Sequence, residues 1–130
     1  MIEANDLAAG VEYSYKADQL KARSKQFAIA IIKLFRELPR TEEARILGRQ
    51  LVRSGTSVAA NYRAACRARS KAEFIAKLGV VVEEIDESVF WIELLAESGT
   101  FPQSRLRSLE VEANELLAIF AASRNTAKNR

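Results

Sequence analysis

Histidine is absent from this chain of 130 residues, and cysteine and tryptophan occur once each. The first absence removes the side chain that most often serves as general base or metal ligand near neutral pH. A lone Cys66 excludes an intramolecular disulfide and a Cys-only zinc site within one chain, and its use fits a reducing cytoplasm. No apolar run approaches the roughly 20 residues of a membrane span. Residues 1–21 mix Glu3, Asp6, Glu12 and Asp18 with short apolar pieces, unlike a cleaved signal. The expected protein is soluble and cytoplasmic, with no membrane partner. A Gly-rich phosphate loop is also missing, because Ser54-Gly-Thr-Ser57 lacks the lysine and the strand such a loop needs. Without histidine, a nucleophilic Cys66 or serine would require a lysine or carboxylate base, and Cys66 falls near an apolar stripe where thiols usually pack. No catalytic residue, cofactor site or enzyme activity is expected.

What remains is helical. Two prolines and five glycines in a chain that is 48% hydrophobic and 28% charged leave little to interrupt helices. The length suits one domain. Leu20, Phe27, Ile31, Leu34 and Leu38 recur at helical steps and predict a first helix over 20–38, stopped by Pro39 before Thr41 caps the next. Leu47, Leu51, Ser54, Val58, Tyr62 and Ala65 form the stripe of a second helix reaching about residue 68. Ser70-Lys-Ala-Glu73 has the form of a capping box, in which the serine caps an amide three residues on and the glutamate reaches back to the serine amide. A third helix follows with Phe74, Leu78, Val81, Ile85, Val89, Ile92 and Leu95 inside, ended by Gly99. The fourth opens near Thr100-Phe-Pro102 and carries Leu106, Leu109, Ala113, Leu116 and Phe120. Short connections between long helices favour antiparallel neighbours. The predicted fold is all-α, an up-down-up-down antiparallel four-helix bundle over 20–125. Residues 1–19 are expected to form an arm or short helix, and 126–130 a tail.

Charge separates by helix. Residues 45–71 hold seven cations and no acid, whereas 72–100 hold seven acids against Lys77 alone. At 100° per residue, Arg45, Arg49, Arg53, Arg63 and Arg67 fall within roughly 80°, opposite the second helix's apolar stripe. Such a guanidinium ridge, in a chain of pI near 9.2, suits a phosphate backbone. The alternative is a solvated face, or pairing with acids of the third helix. Those acids, Glu83, Glu84, Asp86, Glu87, Glu93 and Glu97, do not predict a metal site, since the di-metal bundle pattern needs a Glu-x-x-His on two helices. Phe90 falls on the acidic side, and Ile29 and Ile75 lie off their main stripes. These three are candidates for a second buried surface in a homo-oligomer, where basic and acidic faces of different subunits could meet head to tail. Between the arginines, Ser54, Gly55 and Ser57 weaken the helix by propensity, which a close helix contact would offset.

The segments Gln50-Leu-Val-Arg-Ser-Gly-Thr-Ser-Val-Ala-Ala-Asn-Tyr-Arg63, Ala68-Arg-Ser-Lys-Ala-Glu-Phe-Ile-Ala-Lys77, Phe90-Trp-Ile-Glu-Leu94, Asn114-Glu-Leu-Leu-Ala-Ile-Phe120 and Thr126-Ala-Lys128 carry a resemblance. They are similar to the bacterial four-helix-bundle family named after the 23S rRNA intervening sequence. The resemblance implies a ring-like homopentamer and kinship with the accessory variability determinant of diversity-generating retroelements, a basic pentamer that binds nucleic acid and assists a reverse transcriptase. Ala64 departs from the family pattern, which usually has an acid there. Fold is better specified than function by such kinship. Two functions stand open: a non-enzymatic pentamer binding RNA or DNA backbone through the arginine ridge, with a reverse transcriptase or ribosome-related RNA as partner; or an oligomeric assembly or adaptor protein whose arginines serve inter-subunit salt bridges.

Overall fold

A computed structural model describes residues 4–130, with side chains from Lys16 onward. It consists of four helices, α1 (Ala4–Glu37), α2 (Glu42–Ala65), α3 (Lys71–Glu97) and α4 (Gln103–Lys128), and no strand among the described residues. The first helix is longer than its apolar stripe suggested. With no proline before Pro39, nothing stops it at Leu20, and the backbone of the expected arm continues α1 to Ala4.

The helix boundaries have local chemical causes. Thr41 has extended backbone geometry and its hydroxyl accepts from the Ala44 amide at 3.3 Å, while Glu42 and Glu43 place negative charge at the positive end of α2. Ser70 caps α3 by accepting from the Glu73 amide at 3.1 Å. Glu73 reaches past Ser70 and accepts instead from the Arg69 amide at 3.2 Å, so the reciprocal bond is displaced by one residue from the expected box. At the far end Gly99 takes φ +74°, a left-handed conformation that a side chain disfavours, and donates to the Ala96 carbonyl. Pro102 is the N-cap residue of α4, one position before the helix, rather than inside its first turn. The second helix stops at Ala65, which leaves Arg67 in the connection rather than on α2.

Consecutive helices pack antiparallel, with α1 and α4 closing the bundle. Gly48 faces Phe35 and Leu38, and Gly55 faces Ile31. Ser54 meets Ser88 across α2 and α3, and Arg23 and Arg105 reach Glu112 and Glu37 across α1 and α4. The expected stripes form the core: Phe27, Ile31, Leu51, Val58, Leu78, Ile85, Ile92, Leu106, Leu116 and Phe120 are at most 2% exposed. Leu20, Leu47, Phe74 and Leu109 border it, half-buried.

The small-residue segment in α2 is a seam between helices. A Cβ built on Gly55 would overlap Ile31 Cδ1, so glycine lets α1 approach the α2 backbone. On the other side, the buried Ser88 hydroxyl lies 2.9 Å from Ser54 Oγ, and Ser54 donates to the Leu51 carbonyl at 3.3 Å. These bonds offset the cost of placing two hydroxyls in the core.

Candidate nucleic-acid interface

The five ridge arginines share exposure but not electrostatic surroundings. Arg45, Arg49, Arg63 and Arg67 are all exposed, and none makes an ion pair among the described residues. Arg45 and Arg49 stand on the first two turns of α2. Arg63 lies some 27 Å beyond Arg45 at 1.5 Å per residue, at the opposite end of the bundle, and Arg67 follows it in the connection. Between them, Arg53 is engaged by α3 of the same chain: its guanidinium bonds Glu87 and lies 3.4 Å from Glu84. Arg53 Nε also donates to Gln50 at 3.3 Å, and Trp91 Nε1 donates to the same Glu87 at 3.2 Å. The ridge therefore presents two uncompensated pairs of guanidinium groups, with a neutralised one between them.

The hydrogen bond from Arg53 is the chief cause holding the Glu87 carboxyl below its usual 4.5, and the same contact raises the Arg53 guanidinium further. A depressed carboxyl contributes stability above its unfolded value and loses it as pH falls through the folded value. Both side chains stay open to water, at 48% and 34% exposure, so solvent screening limits the contribution to under about 1 kcal/mol. Glu87→Gln should be less stable than the parent by that amount in urea unfolding at neutral pH. The gap should vanish in strongly acidic buffer, and an equal gap at both pH values would show that the pair is not its source.

The three expected interface residues are dispersed. Ile29 on α1 and Ile75 near the start of α3 are half-buried, while Phe90, 52% exposed, lies in the later half of α3. Phe90 packs edge-on against Trp91 with ring centroids 4.9 Å apart. Sequence reasoning passed over Ile46 and Val111, 52% and 53% exposed. The expected alternative of pairing with acids of the third helix holds for Arg53 alone, and Glu84 and Glu87 are its partners because they lie about as far from the α2–α3 connection as Arg53 does, which brings them level in an antiparallel hairpin.

No helix among the described residues is long and apolar enough to cross a membrane. Among the same residues no group of three or more His, Cys, Asp or Glu side chains could hold a metal ion. Cys66, half-buried at the end of α2, has its thiol pushed up by burial, which disfavours the reactive thiolate. An open groove between α3 and α4 is lined by Glu93, Ala96, Glu97, Gln103 and Glu110.

The family model described as 23S rRNA-intervening sequence protein matches residues 16–122, the span holding the bundle core and the ridge. The chain belongs to this family. A similar solved structure is a protein of unknown function from the S23 ribosomal protein family of Bacteroides thetaiotaomicron VPI-5482. It shares 30% sequence identity and a TM-score of 0.78, over 85% of this chain and 98% of that one. No curated protein matches the chain. The family match and the structural likeness agree with the four helices read from sequence.

Proposed function

We propose that this family member is a non-enzymatic, cytoplasmic, pentameric protein that binds the phosphate backbone of RNA or DNA through Arg45, Arg49, Arg63 and Arg67, as an accessory factor to a nucleic-acid process such as reverse transcription. The observation that carries the reading is the exposure of these four guanidinium groups with no acid to neutralise them. Arginine presents a planar fork of donors suited to phosphate oxygens. Backbone contacts of this kind give affinity without reading base edges, so binding should be only weakly selective for sequence. Arg53 supports a second reading, in which the arginines meet acidic third helices of neighbouring subunits as Arg53 meets Glu84 and Glu87 within its own chain.

One set of proteins separates the two. The parent and an Arg49→Glu/Arg63→Glu variant are compared for binding to a generic DNA duplex at low salt, with mass measured by sedimentation. Loss of at least tenfold in affinity with the mass unchanged is expected. Dissociation of an oligomer without effect on residual binding favours the salt-bridge reading, and a monomeric parent removes the pentamer.

A further inference from the structure

The end of the bundle where α2 joins α3 is more basic than the ridge that leads to it. Arg67 and Arg69 lie in the connection, Lys71 opens α3, and the antiparallel fold returns the end of α4 with Arg124, Lys128 and Arg130 to the same place. Two contacts establish the juxtaposition. The Lys71 ammonium donates to the terminal oxygen of Arg130, and the Arg124 guanidinium lies over the α3 backbone at Gly79, where a Cβ would meet it at 3.5 Å. No described side-chain carboxylate forms an ion pair with any of these six cations. Glu73, the acid among them, is committed to the Arg69 amide. Arg124 Nε is buried with no acceptor among the described residues, although buried guanidinium donors are normally satisfied.

Helix electrostatics explain only half of this cluster. Lys128 and Arg124 stand at the negative end of α4, where cations stabilise a helix. Arg69 and Lys71 stand at the positive end of α3, where cations are unfavourable, and α3 would be better served there by acids. Some gain outside the helix must offset that placement. A membrane surface is a poor occupant, because an interfacial anchor needs apolar side chains beside its cations. Among the exposed large apolar side chains only Val80, at 37%, lies in this half, one small side chain where an anchor needs several; Ile32, Ile46, Phe90 and Val111 sit in the other.

We infer that this end is a second nucleic-acid contact, in which Arg67, Arg69, Lys71, Arg124, Lys128 and Arg130 grip backbone phosphates of a strand that continues from the Arg63 end of the ridge. The inference rests on the backbone-binding reading and extends it to residues of α4 that lie far from the ridge in sequence. The grip follows the strand around the end of the bundle, so one protomer covers more phosphates than the ridge alone could.

The test compares the full chain, an Arg69→Ala/Lys128→Ala variant, a charge-conserving Arg69→Lys/Lys128→Arg variant and the Arg49→Glu/Arg63→Glu ridge variant. Each is checked for parental helicity and assayed by fluorescence anisotropy with a labelled duplex DNA across a salt series. The alanine variant should lose at least tenfold in affinity, with the salt slope falling by about two, one for each lost phosphate contact. The charge-conserving variant should restore both. If the ridge variant loses binding while the alanine variant keeps the parental affinity and slope, the end contact is wrong and the ridge reading survives. A parent that binds no duplex at low salt overturns both. Binding to phosphatidylserine vesicles that DNA does not compete for, lost in the alanine variant, would overturn the inference in favour of a membrane.

Discussion

Raising salt from about 50 to about 200 mM should weaken binding to duplex DNA by at least about a hundred-fold. Each phosphate neutralised by arginine releases condensed counterions, and the slope of log affinity against log salt is about −0.9 per contact on duplex DNA. Arg45, Arg49, Arg63 and Arg67 are uncompensated in the folded chain, which sets the ridge's share of the slope near −3.6 for one protomer, and contacts from the basic end steepen it further. Arg53 adds little, because Glu84 and Glu87 already supply its counter-charge and no counterion is released by exchanging them for phosphate. Replacing Glu84 and Glu87 with glutamine would free Arg53 and steepen the slope by about one. A parental slope shallower than −1 would remove backbone contacts as the source of affinity.

The pattern of exposure bears on how such contacts could be organised. The two free arginine pairs lie at opposite ends of α2, and the second pair runs into the basic end formed by the α2–α3 connection and the close of α4. The opposite half of the molecule carries the acidic groove of Glu93, Glu97 and Glu110 and most of the exposed large apolar side chains. Arg45 and Arg49 share that half with Ile46, so only the basic end formed by the α2–α3 connection and the close of α4 stands apart from most of the apolar side chains and stays open to nucleic acid if they are covered by self-association. Ring assembly would then array several copies of the basic end, and tethered sites raise avidity without any new contact.

The core was legible because its signal is periodic and local. Phe27, Ile31 and Leu34 on α1, or Leu78, Val81 and Ile85 on α3, recur at steps that only a helix can bring to one side, and each is buried. Boundary signals were equally plain where chemistry allows one answer, as at Pro39, Ser70 and Gly99. The α1 start was not legible, because residues 4–19 lack both a stop and a regular apolar stripe, and continuation of a helix leaves no mark on sequence. Pairing with the acidic third helix was one of the open readings for the ridge, but that Arg53 alone would take it was not legible. Projection on one helix places it among the ridge arginines, but at its α3-facing edge the register of the hairpin decides its partner. Gly55 likewise reads as a weak point by propensity until Ile31 is seen to occupy the space its side chain would fill. The basic end escaped because its parts, Arg69 and Lys128, are far apart in the chain and join only through the bundle's topology.

Two phenylalanines should respond to alanine in opposite ways, and the contrast tests assembly. Phe120 is fully buried, its ring 5.0 Å from that of Tyr62 and tilted by 44°. Phe120→Ala removes the ring from a site that can collapse only partly, at a cost of about 3–5 kcal/mol. That is a large share of the roughly 5–15 kcal/mol that stabilises a typical domain. The loss should appear as a lower urea midpoint at every protein concentration. Phe90 is half exposed and touches Trp91 only at its edge, so Phe90→Ala in an isolated protomer should change stability by less than about 0.5 kcal/mol. In a homo-oligomer the same ring would be covered by a neighbour, and association stabilises the fold by mass action. The parent's Tm should then rise with concentration, and Phe90→Ala should flatten that rise while leaving the dilute-limit Tm in place. A parental Tm independent of concentration, with Phe90→Ala indistinguishable from it, would place Phe90 outside any interface and leave the exposed aromatic pair without a role in self-assembly.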